Sequence, residues 1–325
     1  MATVYHRDQP GAPAVTFSST NAVRFESFKT LLKACLVDGF GAYPAAGWEL
    51  VSEAASHIVL RPATHSGYLC FGHTGSVIRV SVSATFTGVS GAIIQGDGAK
   101  SGINTASSQP QILYTYLLTN SSSGSWAIVA DNRTFICSFS VVDGNAGSAT
   151  PSDYSTASYS STMFYAGEDS AGNFMVVGGG AASSTSVTAP DGFFSEPAVT
   201  SLKNPRTGLL VGAESLGAYF PLFSAVSSAQ LASLSEAVVF PEVQLVKVPW
   251  IVSGHFCGFL RGIVSVPGLG NMFMKSVFEA LGLSGVNSRN VTVPFSLDGV
   301  NNWIPAIKNV MRSPPMLMTD APEYW

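Results

Sequence analysis

The chain contains few charged residues, and this limits the partners it can bind. Of its 325 residues, 16 are Lys or Arg and 20 are Asp or Glu, or 11% together, whereas a soluble domain averages roughly 25%. The cations form no run and the net charge is −4, so the clustered positive charge that binds nucleic acid is missing. Because 46% of the residues are apolar, we expect neighbouring subunits to cover part of the surface. A large neutral β protein with Ser, Thr and Gly on its surface explains this composition equally well.

Long apolar runs and closely spaced cysteines are also missing. The longest apolar candidate, residues 237–251, is interrupted by two prolines, a Glu and a Lys, so it falls short of the roughly 18 to 20 residues that span a bilayer. The first residues show no basic start followed by an apolar run, which argues against a signal peptide. The cysteines form no C-x-x-C motif, and we expect free, buried thiols made in a reducing cytosol: Cys35, Cys70, Cys137 and Cys257.

Motifs that bind nucleotides or metals are incomplete. The stretch QGDGAKSG suggests a phosphate-binding loop, but Ala99 precedes Lys100 where that loop needs Gly, so we interpret it as an exposed loop. His57, His65 and His73 are eight residues apart, and a hairpin would bring the outer two together. No acidic residue lies nearby in the sequence to complete a metal site. We therefore expect structural or surface histidines, and neither a metal nor a cofactor.

Motifs for covalent or acid–base catalysis are incomplete as well. His255 and Cys257 would share one face of a strand, but no third group orients them. The segment EDSAGN carries oxygen ligands without the EF-hand spacing, and it predicts a turn between strands. Acids that the fold brings together can cleave sugars. Candidates in the first half, mostly in predicted turns, are Glu49, Glu53, Asp97, Asp131, Asp143, Asp153, Glu168, Asp169 and Asp191. On balance we predict that the protein is not an enzyme.

The sequence does contain a strong β pattern. Apolar residues alternate with polar ones between Ile78 and Phe86, which is typical of a strand with one buried face. Short apolar segments separated by Gly, Ser and Asn indicate an antiparallel β-sandwich or barrel-like domain, and the residues Asp131 to Arg133 predict a tight turn. Further predicted strands are His57–Arg61, Tyr68–Gly72, Ile112–Leu118, Trp126–Ala130, Thr134–Val142, Thr162–Ala166 and Phe174–Val177.

One helix is predicted near the N-terminus, over residues 21–37. Phe25, Phe28, Leu32 and Cys35 recur at spacings of three, four and three, which is the spacing of an amphipathic helix packed on a core. We expect this face to pack on the strand that starts at Ile78. Asp38-Gly39 ends the helix, because Gly adopts the left-handed conformation that closes a helix.

Four segments resemble one family of structural proteins. The helix end LLKACLVDGFG, followed by PAAGW, is similar to the start of tail-tip and baseplate virion proteins of tailed bacteriophages. SWAIVADNRTFICSF at residues 125–139 and FLRGIVSVPGL at residues 259–269 resemble its Trp-strand with turn and its Leu-Arg-Gly segment. LMTDAPEYW resembles its hydrophobic C-terminal segment that ends in Trp.

This resemblance implies a structural component of a tail tip or baseplate that supports or presents the receptor-binding apparatus. It also implies assembly in the host cytoplasm into the virion, other tail or baseplate proteins and copies of itself as partners, and a host surface glycan or pilus as receptor. A tail-associated glycan depolymerase and a carbohydrate-binding module are the alternatives. Exposed aromatic residues in loops would favour the binding module, for example Tyr43, Trp303, Tyr324 and Trp325.

The second half of the chain predicts less regular structure. We expect a β-rich N-terminal domain over residues 1–180, a linker or surface loop over 181–192, and a second β-rich region over 193–325. That region either forms a second domain or completes the first. It carries predicted strands at Val238–Val248, Phe256–Val266 and Val291–Phe295, and predicted helices at Ser227–Ala237 and Asn271–Leu283. Its prolines break up longer elements.

Overall fold

The structure is a computed structural model that describes residues 1–16, 20–74, 77–101, 125–140, 161–179, 197–203, 207, 209–210, 246–252, 255–265, 294, 296, 298–305 and 316–325. One α-helix, α1 (Asn21–Lys33), continues into a π-helical turn at Ala34–Asp38. The strands in the first part of the chain are β1 Thr3–His6, β2 Glu49–Ala54, β3 His57–Arg61, β4 Tyr68–Thr74, β5 Val77–Ser83, β6 Gly88–Ser90, β7 Ile93–Gln95 and β8 Lys100–Ser101. Those in the remainder are β9 Ser125–Ala130, β10 Thr134–Ser140, β11 Ser161–Glu168, β12 Phe174–Gly179, β13 Pro197–Ser201, β14 Val246–Val252, β15 His255–Ser265, β16 Trp303–Pro305 and β17 Met316–Thr319.

These strands form three antiparallel sheets and one hairpin. The central sheet has six strands in the order β1-β9-β10-β11-β12-β13. A five-stranded sheet has the order β2-β3-β4-β5-β8, a four-stranded sheet has the order β14-β15-β17-β16, and β6 pairs with β7 alone. Within the described residues, the protein is therefore mainly β with one short helix, as the sequence predicts. In these strand orders, no sheet pairs its two edge strands with each other.

The central sheet lies between two hydrophobic cores, which explains its apolar strands. In β9, Trp126 and Ile128 belong to a core shared with α1 and the five-stranded sheet. Ala127 and Val129, which point to the other face, belong to a core shared with the four-stranded sheet. A strand buried on both faces needs apolar side chains at every position rather than at every second one. The five-stranded sheet, by contrast, alternates along β5.

The helix α1 covers the first core with the face that its spacing predicts. Phe25, Phe28, Leu32 and Cys35 are buried in the core that contains Val80 and Val82 of β5. The ring of Phe28 packs edge-on against Phe71 of β4, 5.2 Å between centroids. The α-helical part ends at Lys33, four residues earlier than predicted, because the last turn widens into a π-helical turn before Gly39 closes it with φ of +79°.

The hairpin β6–β7 covers part of the outer face of the five-stranded sheet. Ile94 is fully buried with Val59 and Cys70, and its N–H donates to Ser81 Oγ at 3.0 Å. The hairpin approaches so closely that a Cβ on Gly72 would lie 2.0 Å from the carbonyl oxygen of Ala92. Gly is therefore required at position 72 for the hairpin to pack there.

The predicted elements have three outcomes. Predicted strand β3 has the predicted bounds, and the tight turn at residues 131–133 joins β9 to β10. The predicted strand beginning at Ile78 ends earlier, at Ser83, because the next residues turn toward residues 95–97. Residues 181–192, Ile112–Leu118, Ser227–Ala237 and Asn271–Leu283 lie outside the described residues, as do most of Val238–Val248 and Val291–Phe295.

The division of the chain into domains stays a prediction. The described residues show that β13 pairs with β12, although the predicted linker separates them in sequence. They also show that Val248, Leu260, Ile263 and other residues of the four-stranded sheet share a core with the central sheet.

All four cysteines are free thiols. Cys35, Cys70 and Cys137 are buried, as the sequence predicts, while Cys257 is half-buried at the margin of the second core. Burial raises the pKa of the Cys35 and Cys137 thiols well above the ordinary value, and it raises the pKa of Cys70 to about 12. These thiols therefore stay protonated near neutral pH.

Candidate functional site

Side chains from four segments that lie far apart in the sequence meet at the turn between β9 and β10. The indole Nε1 of Trp48 donates to the backbone oxygen of Asp131 at 2.9 Å. The Asp131 carboxylate accepts from Arg261 Nη1 at 3.1 Å and Nη2 at 2.6 Å. The guanidinium of Arg261 lies over the ring of Trp325, 5.3 Å from its centroid. We call Trp48, Asp131, Thr134, Arg261 and Trp325 the Arg261 network.

Asp131 both closes the turn and binds Arg261. Its Oδ1 accepts from the backbone N–H groups of Arg133 at 2.9 Å and Thr134 at 2.8 Å, while its own N–H donates to the carbonyl of Thr134. Asp favours such turns because its short side chain replaces a backbone acceptor. The turn therefore holds the carboxylate in the position at which Arg261 binds it.

Arg261 connects the four-stranded sheet to the central sheet. It lies on β15, is 5% exposed, and donates from Nη1 to Thr134 Oγ1 at 2.9 Å as well as to Asp131. Its backbone N–H donates to the hydroxyl of Tyr165 at 3.4 Å, and that hydroxyl donates to the carbonyl of Glu168. Burial raises the pKa of the Tyr165 hydroxyl above its ordinary value, so it stays protonated. Arg261 and Asp131 therefore each bind neighbouring groups of the protein as well as each other.

Trp325 covers the pair on the side of Gly262. Its Nε1 donates to the carbonyl of Thr319 at 2.6 Å. Gly262 has φ of +67°, and a Cβ there would lie 2.3 Å from Cζ2 of the Trp325 ring. The Leu-Arg-Gly segment therefore supplies both the cation and the space that the indole ring occupies.

The acids Glu168 and Asp169 take separate structural roles. Glu168 accepts from Arg133 Nε at 2.7 Å and from the hydroxyl of Thr64. Burial acts to raise the pKa of Glu168, but the hydrogen bonds from Thr64, Ser66 and Arg133 bring it below its ordinary value. Glu168 is therefore a buried residue, 3% exposed, whose carboxylate is paired with Arg133.

Asp169 closes the turn between β11 and β12, as the sequence predicts. Its Oδ1 accepts from the backbone N–H groups of Ala171 and Asn173 at 2.9 and 2.8 Å, and Oδ2 accepts from Asn173 Nδ2. Burial raises the pKa of Asp169 despite these donors. Since Glu168 and Asp169 each bind their own partners, they do not form the facing acid pair that sugar hydrolysis requires.

The histidines that the sequence groups together lie apart. His57 pairs with Gly72, so His73 lies one residue further on and on the opposite face of the sheet. His73 stacks on Phe25 of α1, 5.4 Å between centroids, while His57 contacts Ser52 and Ser56 on its own side. The remaining one, His65, lies in an exposed loop.

Other residues that the sequence suggested for binding or catalysis and that the structure describes take part in strands, core packing or ion pairs. Lys100 belongs to β8, which pairs with Val82 of β5. His255 begins β15, and Cys257 packs partly against the second core. His65 Nε2 lies 3.0 Å from Glu49 Oε1, an acid that Arg61 also binds.

Three of the aromatic residues proposed for glycan binding instead contact one another or Arg261. Trp303 is 3% exposed and packs edge-on against Tyr324, 5.8 Å between centroids. Trp325 covers Arg261, and half-buried Tyr43 packs against Phe40 at 5.4 Å. None of these four residues presents a fully exposed ring.

Comparison with protein families, with curated proteins and with solved structures gives no match to this chain. Within the described ranges, no three His, Cys, Asp or Glu side chains are grouped to hold a metal ion. No helix in this part of the chain is long and apolar enough to span a bilayer.

Sequence reasoning missed two buried cations, and both left a signal. Arg261 lies within the apolar segment FCGFLRGIV, where an unpaired charge would be costly, so a buried acid partner was to be expected. Lys29 lies four residues after Phe25 and therefore on the buried face of α1. It is 2% exposed, and its Nζ donates to the carbonyl of Ala54 at 2.8 Å and binds Glu26.

Proposed function

We propose that this protein is a structural component of a bacteriophage tail tip or baseplate, which supports or presents the receptor-binding apparatus. The observation that carries the proposal is the convergence of the four family-like segments on the Arg261 network. Segments that lie up to 277 positions apart, from Trp48 to Trp325, meet through direct contacts. Contacts of this kind maintain one packing arrangement, which is what a structural subunit needs.

The roles of the polar residues favour this proposal over catalysis. In the Arg261 network, both charged groups are buried and each is bound by the other. A general acid or base must instead reach a substrate proton. Glu168 and Asp169, the adjacent acids, are likewise bound to Arg133 and to a turn. We therefore propose a non-catalytic role in which surfaces, rather than a cleft, carry the function.

Two measurements on virions and one gene deletion test the proposal. Mass spectrometry of purified particles should detect this protein, and a cryo-EM map of the tail end should contain density that fits its three sheets. Deleting the gene should abolish infectious particles while leaving capsids intact. Absence of the protein from purified, infectious virions would refute the proposal.

A separate assay tests the alternative of a glycan depolymerase. Purified protein is incubated with host-cell polysaccharide and newly formed reducing ends are measured. We expect no release above a heat-treated control. Release that persists in Asp8→Asn, a substitution at an exposed residue, but disappears in a folded Glu168→Gln or Asp169→Asn variant would identify an enzyme and overturn the structural proposal.

A further inference from the structure

Several edge strands of the described sheets are modified in ways that weaken strand addition. An open edge presents unpaired backbone groups to which another strand can bind. β2 carries a β-bulge at Val51 and two Glu side chains, β14 contains Pro249 and two irregularities in register, and β16 ends in Pro305. Bulges, charges and prolines are the features by which proteins protect edges.

β1, one of the two edge strands of the central sheet, has none of these features. It is four residues long, TVYH, and pairs with β9 on one side. Arg7 N–H, just after it, donates to Trp126 O of β9. Because backbone groups alternate in direction along an antiparallel strand, Val4 and His6 direct theirs away from β9.

Gln9 occupies three of these four outward groups. Its Nε2 donates to Val4 O at 2.9 Å, its Oε1 accepts from His6 N–H at 3.0 Å, and its own backbone N–H donates to His6 O at 3.1 Å. One side-chain amide therefore bridges the carbonyl of Val4 and the N–H of His6. One residue of an adjacent parallel strand makes the same pair of hydrogen bonds through its own N–H and C=O.

We propose that Gln9 is an intramolecular cap that keeps the β1 edge of the central sheet closed to a second copy of this chain. A second copy is the occupant because it carries the same strand. Two β1 strands that meet antiparallel across a two-fold axis satisfy each other's outward groups. The apolar residues Val4 and Tyr5, both buried within the subunit, leave backbone pairing as the main attraction at this edge. A second copy would have to displace Gln9 from these groups, and this competition opposes the pairing.

The test compares Gln9→Ala with the wild-type protein. Sedimentation equilibrium over a wide concentration range measures self-association, and hydrogen exchange measures protection of the His6 amide. We expect the His6 amide of the variant to exchange faster when dilute. We also expect its self-association constant to rise by at least about tenfold, which corresponds to about 1.4 kcal/mol. Near-UV circular dichroism checks that the variant is folded.

Two further variants control the test. Gln95→Ala removes a Gln whose Nε2 donates to Ile93 O and Ile94 O inside the hairpin β6–β7, so it should associate like the wild type. Gln9→Glu keeps the length and the acceptor for His6 N–H but loses the donor to Val4 O. It replaces Gln9→Ala if that variant loses its fold. An unchanged association constant in a folded Gln9 variant, or an equal rise in Gln95→Ala, would overturn the proposal.

Discussion

Arg261 and Asp131 form a buried ion pair in which each charge compensates the other. Their side chains are 5% and 9% exposed, and the two hydrogen bonds are bidentate. An ion pair gains little in water but becomes essential once both charges are buried, because neither can be left without its partner. The pair therefore specifies how β15 sits on the turn between β9 and β10.

We predict that Arg261→Met lowers the free energy of unfolding by about 3 to 5 kcal/mol, because it leaves the Asp131 carboxylate buried without a cation. Urea-induced unfolding measures the change. The control is Asp8→Asn, which removes the partner of Arg7 in a pair whose Asp8 side chain is 51% exposed. It should cost less than about 1 kcal/mol. Equal effects of the two substitutions would mean that the Arg261 network contributes no more than a surface pair.

Gly262 offers a second test at the scale of one residue. Gly262 and Gly299 have similar backbone angles, φ of +67° and +75°, but a Cβ at 262 would meet the Trp325 ring and one at 299 would meet nothing within 4 Å. Gly299→Ala should cost about 1 to 2 kcal/mol from the backbone alone. Gly262→Ala should cost about 1 to 3 kcal/mol more from the clash, and should shift tryptophan fluorescence. Similar unfolding free energies for both variants would contradict the packing of Trp325 on Gly262.

At the scale of elements, the sequence predicts local pattern well and partner choice poorly. The strand β3 and the apolar face of α1 were predictable, because period two and period 3.6 are local properties. The neighbour of β1 was not, since β9 begins at Ser125 and nothing in TVYH specifies that partner. The same holds for Asp131 and Arg261. Each was visible as an acid in a turn or a cation in an apolar strand, but their pairing depends on how two sheets pack.

The helix α1 is held by its buried aromatic face. Phe28 is 2% exposed and contacts Phe71 and Phe164 edge-on. We predict that Phe28→Ala costs about 3 to 5 kcal/mol of unfolding free energy, as truncation of a core aromatic does. Val23, on the same helix but 47% exposed, is the control. Val23→Ala should change stability by no more than about 0.5 kcal/mol. A cost below about 1 kcal/mol for Phe28→Ala would show that this face is not packed.

Acid should lower the stability of the protein through His57, which lies in the hairpin formed by β2 and β3. Burial lowers the pKa of His57 from its ordinary value, and the nearby charge of Lys29 lowers it further. The folded protein therefore binds this proton less tightly than the unfolded chain. The stability that neutral His57 contributes is complete above the unfolded pKa of about 6.5 and decreases as the pH falls through it.

The predicted loss of stability at low pH can be measured directly. Urea unfolding of the wild type and of His57→Gln is compared at a pH above and a pH below that value. The wild type should lose more stability on acidification than the variant, in which this site no longer titrates. His6, whose pKa burial also lowers, is present in both proteins and cancels. An equal loss in both proteins would rule out His57 as the source.

At the scale of the whole molecule, the described residues form three layers of sheet in which the central one is buried on both faces. Several charged residues are buried and paired inside the subunit, including Lys29, Asp131, Glu168 and Arg261, each at most 7% exposed as a whole residue. The surface therefore has even fewer charges than the composition of 11% indicates. Solubility and partner choice must depend on Ser, Thr, Gly and Asn or on covering by neighbours.

We predict that the protein in its native assembly buries at least about 1,200 Å² in a specific interface with copies of itself or with other tail proteins. The reason is the low surface charge, since a subunit with few charges gains solubility when neighbours cover its apolar surface. Cross-linking mass spectrometry of purified tails should find cross-links from this chain, and a map of the assembly should give the interface area. Cross-linking of the isolated protein at the same concentration is the control, because it separates interfaces that copies form alone from those that need other proteins. A monomer in both samples, with no interface of that size in the map, would contradict the assignment to an assembled structure.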